Sequence, residues 1–117
     1  GYEYLGIADH SKTAFYANGL SPERLREQIA HIDKLQSKLK GFRIFKGIES
    51  DILADGSLDY DDDLLAELDY VVASIHQPMN MTSEAMTERI VRAIRHPSCT
   101  MLGHATGRLL LMREAYP

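Results

Sequence analysis

The sequence predicts an α/β fold on a mainly parallel sheet, either an open sheet or part of a β/α barrel. Three observations predict it. Strand-like runs alternate with segments of helical period, as in successive β-α units. One run, "DYVVASI" from Asp69 to Ile75, is continuous, apolar and β-branched, the pattern of a strand covered on both faces. No internal repeat, low-complexity tract or linker breaks the alternation, so the 117 residues read as one domain with enough apolar content, 44%, for a core.

The first strand is "YLGIADH", Tyr4 to His10. A loop of mixed composition, "SKTAFYANGL", leads to Ser21-Pro22, where serine caps a helix and proline suits its first turn. Leu25, Ile29, Ile32, Leu35 and Leu39 then recur at helical spacing until Gly41 supplies a stop. "RIFKGIESDIL" follows as a strand, "ADGSLDYDD" as an acidic turn, and Asp62 to Leu68 as a short helix. The acidic run Asp59 to Asp63 reads as a solvated turn and helix start, with calcium binding the lesser alternative. After "DYVVASI", Thr82 or Ser83 caps a helix that is expected to bury Met86, Ile90, Ala93 and Ile94 and to end before Pro97. "CTMLGH" closes the series.

A net charge of −4 excludes a fold-wide basic surface for gripping a duplex, while leaving room for a local contact where Lys12, Arg43 and Arg108 gather. The single Cys99 cannot form an intrachain disulfide, which with the lack of a long apolar stretch points to a cytoplasmic protein off the membrane. Cys99 itself reads as a small buried hydrophobe. The chain enters a strand at once with neither an initiator methionine nor a signal pattern, so it is expected to be a piece of a longer polypeptide.

Each strand run finishes in a residue able to bind a metal. The four ends carry His10, Glu49, His76 and His104. In parallel α/β architectures the carboxyl ends of the strands form the open rim where sites are built. Imidazole nitrogen and carboxylate oxygen suit Zn²⁺, Mn²⁺ and Fe²⁺, and a glutamate can bridge two ions. A shared metal site at these four residues is the expectation. His31 and His96 fall in or at the end of helices and read as structural. Asp9, on the opposite face from His10, is a better supporting partner than a ligand, and Asp51, on Glu49's face, is a minor candidate. No nucleophile elbow or nucleotide-binding glycine loop is present, so hydrolysis of a phosphoester through metal-activated water is the expected mechanism, with Glu49, His76 and His104 as catalytic residues.

The segments "ADHSK", "NGLSPERLREQI", "GIESDILADGSLDYDDDLLAELDYVVASIH" and "LGHATGRLLLMREAY" closely resemble the PHP (polymerase and histidinol phosphatase) domain at the carboxyl end of bacterial and archaeal family X DNA polymerases. The resemblance covers nearly the whole chain. It implies a distorted seven-stranded β/α (TIM-like) barrel, a cluster of up to three Mn²⁺ or Zn²⁺ ions, and 3′-to-5′ exonuclease and related end-processing activity in DNA repair. It places the family's metal ligands on His10, Glu49, His76 and His104. The family also has an upstream His-x-His group and a downstream Asp-x-His pair, so residues 1–117 are expected to be a partial domain lacking both, inactive alone and prone to self-association. "SIHQPMNM" departs from the serine-then-aromatic continuation expected after that histidine, which bears on the substrate pocket. Implied partners are DNA 3′ ends and a polymerase domain in the same polypeptide. Lys12 and Arg108, in the loops after His10 and His104, are candidates for a substrate phosphate, and Tyr16, Tyr60 and Tyr116 for stacking on a base, with packing the simpler reading. The alternatives are a phosphatase of small phosphate monoesters and a non-catalytic structural module.

Overall fold

The computed structural model describes all of residues 1–117. The chain runs β1 (Tyr4–His10), a 3₁₀ turn (Phe15–Ala17), α1 (Pro22–Gln36), β2 (Arg43–Asp51), α2 (Asp62–Leu65), β3 (Tyr70–Ser74), α3 (Ser83–Ile94) and β4 (Met101–Leu102). The four strands pair in sequence order, β1-β2-β3-β4, and every pairing is parallel. An open doubly wound sheet reverses its strand order at a switch point, whereas sequential parallel neighbours joined through helices are successive units of a β/α barrel. The fold is therefore a segment of the barrel alternative.

The helices start where the sequence signals them. Ser21 Oγ accepts the Arg24 N–H at 3.3 Å with Pro22 in the first turn, and Thr82 Oγ1 accepts the Ala85 N–H at 3.3 Å. Two expectations change. Helix α1 stops at Gln36, short of Gly41, and Leu35 and Leu39 stay exposed, leaving Leu25, Ile29 and Ile32 as the buried stripe. Helix α3 buries Met86 and Ala93, but Ile94 is exposed and Arg89 is buried in its place.

Period-two alternation sorts the strands into two faces. On the helix-covered face, Ile48 of β2 and Ile52 just after it join Val71 and Ala73 of β3 and Ile75 just after it in one buried cluster with Leu25, Ile29, Leu64, Leu65, Met86 and Ala93. The register of the parallel pairs sets the opposite face. Tyr4 lies beside Arg43, Ala8 beside Gly47, and His10 beside Glu49. Gly47 in turn pairs with Tyr70, and Asp51 with Ser74. At the amino end of this face the Tyr70 ring lies on Gly47, where a Cβ would fall 2.2 Å from a ring carbon. Its carboxyl end carries the ionisable groups.

Candidate metal centre

Strand register alone brings the first two groups together. His10 and Glu49 are directly paired across β1 and β2, with His10 Nδ1 3.5 Å from Glu49 Oε2. His76 lies two residues past Ser74 on the same face, and its Nε2 is 3.4 Å from Glu49 Oε1. His104 needs a backbone device. Met101 pairs with Val72 on the inner face, so simple alternation would send residue 104 outward. A left-handed backbone at His104, φ +23°, turns it back, and its Nε2 reaches Glu49 Oε1 at 3.1 Å and His76 Nε2 at 3.2 Å. Such a conformation is uncommon outside glycine and persists only where the surroundings hold it.

The protons of this cluster can be assigned from Asp51. Asp51 is buried, and its Oδ1 is 2.5 Å from His76 Nδ1. An ionised carboxylate only accepts, so Nδ1 carries the hydrogen and Nε2 of a neutral His76 is a bare acceptor. That lone pair faces Glu49 Oε1, itself an acceptor, and a second imidazole nitrogen. His10 Nδ1 is buried with no hydrogen-bond partner. Imidazole nitrogens gathered on one carboxylate are a donor set that fits a divalent cation, and ligand atoms of His10, Glu49 and His76 all lie within 4.8 Å of one another. The carboxylate–histidine pairing of Asp51 and His76 is the usual support of a metal-bound imidazole.

The ionisation states follow from the same contacts. Burial opposes the Glu49 charge, but the Ser74 hydroxyl and the imidazoles of His10, His76 and His104 outweigh it and hold the carboxyl below its usual range. Burial likewise opposes the Asp51 charge and is outweighed by hydrogen bonds from His76 and Thr13. His76 is raised above its ordinary value, chiefly by the bond to Asp51.

The loop after β1 braces Asp51 from below. Ser11 Oγ accepts the Asp51 N–H at 2.9 Å, and Thr13 Oγ1 lies 2.7 Å from Asp51 Oδ2 and 3.0 Å from Asp59 Oδ2. Asp59 is thereby buried and turned inward, accepting the Thr13 N–H at 2.8 Å, so the acidic run does not act as one solvated cluster. Asp9 takes no part in the centre. It faces the other side of β1 and accepts from Gln28 of α1 at 2.5 Å, so the supporting carboxylate is Asp51. Periodicity put Asp51 on Glu49's face; only the β2–β3 register puts it against His76.

Two cationic candidates part company here. The Lys12 ammonium lies over the Tyr60 ring, 5.7 Å from its centroid, and the Tyr60 hydroxyl donates to Leu20 O at 2.5 Å. Neither joins the cluster. Arg108 lines an open cavity of about 370 Å³ beside the histidines, with Tyr16, His76, His104 and Arg113 also in its wall. Tyr16 stands edge-on to His10 and His76, with ring centroids 5.9 and 6.1 Å away. Arg113, which no sequence signal singled out, reaches back to Gly107 O at 2.8 Å. His96 pairs with Asp62 at 3.1 Å, away from the centre.

Replacing Asp51 by asparagine keeps the size but can present an N–H toward His76 Nδ1 and so favours the wrong tautomer. Calorimetric titration with Zn²⁺ is expected to show affinity about 10- to 100-fold weaker than that of the unsubstituted chain. Unchanged affinity would remove Asp51 from the centre.

No protein-family model matches the chain. It is 47% identical over 116 residues, 99% of its length, to a DNA polymerase/3′-5′ exonuclease, PolX, of Bacillus subtilis, of which it spans 20%. A probable phosphatase of a Thermoanaerobacter species is 36% identical over 74 residues, 60% of this chain and 30% of that protein. One of Acetivibrio thermocellus is 29% identical over 109 residues, 89% of this chain and 42% of that protein. The chain thus spans between 20% and 42% of the length of these relatives. Nearly half its residues match PolX across almost its whole length, the strand ends carry His10, Glu49, His76 and His104, and the sheet is that of a barrel segment; the chain is thus similar to a segment of PolX, consistent with part of a PHP domain.

Proposed function

We propose that the chain is the phosphoesterase part of a family X DNA polymerase, hydrolysing DNA phosphodiester bonds from 3′ ends in repair. The observation that carries this reading is the convergence of three imidazoles on one carboxylate, Glu49, in a chain that resembles PolX. His10, Glu49, His76 and His104 would hold Mn²⁺ or Zn²⁺. Bound there, such an ion supplies Lewis-acid polarisation of a phosphoryl oxygen and acidifies water toward neutrality. The chain's own residues do the rest. Asp51 fixes the His76 ring, Arg108 at the cavity wall is placed to bind a phosphate, and Tyr16 is placed to stack on a splayed base. Lys12, engaged with Tyr60, is the weaker phosphate candidate.

The proposed partners are DNA 3′ ends and a polymerase domain of the same polypeptide, in the cytoplasm. No helix of the structure is long and apolar enough to cross a membrane. A second reading, hydrolysis of a small phosphate monoester, is favoured by the likeness to probable phosphatases. The two separate in one assay on a PolX-type polymerase carrying this chain. Release of nucleotides from a DNA 3′ end supports the first, and release of phosphate from small esters without nucleotide release supports the second. In that assay Arg108→Ala is expected to raise KM for DNA about tenfold, the equivalent of one charged hydrogen bond. An unaltered KM withdraws the phosphate role.

A further inference from the structure

Arg89 sits on α3 at a position where helical period calls for an aliphatic residue, and it is only 2% exposed. Burying a guanidinium is costly unless every N–H is satisfied. Here all five are directed at acceptors. Nε donates to Leu53 O at 2.8 Å; Nη1 to Pro78 O at 2.6 Å and Met81 Sδ at 3.4 Å; Nη2 to Gln77 O at 2.6 Å and to Ile52 O. None of these acceptors is a carboxylate; the nearby charge of the buried Asp51 favours the guanidinium, but every hydrogen bond goes to backbone carbonyls and one thioether.

The position of the acceptors is informative. Ile52 and Leu53 directly follow Asp51, and Gln77 and Pro78 directly follow His76. A single nitrogen, Nη2, joins the first carbonyl beyond Asp51 to the first carbonyl beyond His76. We propose that Arg89 is a positioning residue for the metal centre: from α3 it ties the backbone leaving β2 to the backbone leaving β3, and so fixes the Asp51–His76 hydrogen bond and the aim of His76 Nε2. The planar fork has the geometry for this, since it reaches carbonyls on two loops with one rigid group. An ammonium or a thioether of similar length does not. The consequence for metal affinity rests on the metal-centre reading, while the tie between the loops does not.

The test uses the 117-residue chain with Arg89→Lys and Arg89→Met, and Ile29→Ala as a core control on α1. Long-range ¹H–¹⁵N spectra of the metal-free chain are expected to show His76 as a single Nδ1–H tautomer, and a mixture of tautomers in both Arg89 variants. Zn²⁺ affinity is expected to fall about tenfold in Arg89→Lys, the size of a lost supporting contact. Ile29→Ala is expected to lower the melting temperature with both readouts unchanged. A native His76 spectrum and native Zn²⁺ affinity in a folded Arg89→Lys would overturn the proposal, as would an equal loss of affinity in Ile29→Ala. Should neither Arg89 variant fold, the unsubstituted chain still decides: slow exchange and hindered rotation of the Arg89 Nη groups support the tie, and a freely rotating guanidinium refutes it. Should the unsubstituted chain take up no Zn²⁺, the metal reading fails, and the His76 and Arg89 spectra decide the tie by themselves.

Discussion

Glu49→Gln in a PolX-type polymerase carrying this chain is expected to lower Mn²⁺-dependent release of nucleotides from DNA by about a thousandfold or more, since loss of the ion removes several kcal/mol of transition-state stabilisation. The substitution keeps the size of the side chain and removes its charge. Glu49 is the carboxylate shared by the cluster, with His104 Nε2 at 3.1 Å, His76 Nε2 at 3.4 Å and His10 Nδ1 at 3.5 Å. In glutamine one of the two oxygens becomes an N–H₂ that donates and cannot ligate. The surrounding fold has little reason to change, because neighbouring Ile48 and Ser50 point to the other face and are buried there. Nucleotide insertion, assigned to a separate domain, is expected to stay within about twofold, by the rule that distant sites act independently. An unchanged hydrolysis rate in the variant, with bound metal verified by elemental analysis, would remove Glu49 from the mechanism.

The second large effect is on folding. Gly19→Ala is expected to cost about 3 kcal/mol, at the upper end for overpacking, and to lower the melting temperature of the chain by roughly 10 °C. A Cβ at position 19 would lie 1.8 Å from the Ser11 carbonyl oxygen and 2.7 Å from its carbon. Both are backbone atoms, so no rotamer change relieves the clash. The loop is held at both sides of the contact: Leu20 N–H donates to His10 O at 2.9 Å, and Ser11 N–H to Glu49 O at 3.0 Å. Moving it displaces Ser11 Oγ from the Asp51 amide and Thr13 from the Asp51 carboxylate. Zn²⁺ affinity is therefore expected to fall together with stability. Thermal unfolding within a degree of the unsubstituted chain would show that the loop accommodates a side chain and that Gly19 is not a packing constraint.

Much of the architecture follows from local pattern. The β-branched run at Asp69 to Ile75, the Ser21-Pro22 and Thr82 caps and the apolar spacing of Leu25, Ile29 and Ile32 each state a backbone conformation within a few residues, because period and capping are local physics. The parallel order then places strand ends on one rim, which is why His10, Glu49, His76 and His104 could be named from the sequence. What lies around them could not. Asp51 rather than Asp9 supports the centre because β2 and β3 pair with Asp51 beside Ser74, a register between segments more than twenty residues apart in the chain. His104 joins only through a left-handed turn, against the alternation of its strand. Lys12 turns to Tyr60 instead of the cavity, and Arg89 is drawn into the core by carbonyls from two loops that no helical period records. These outcomes depend on which chain segments meet and what unpaired groups they bring, and that is decided only when the tertiary structure closes.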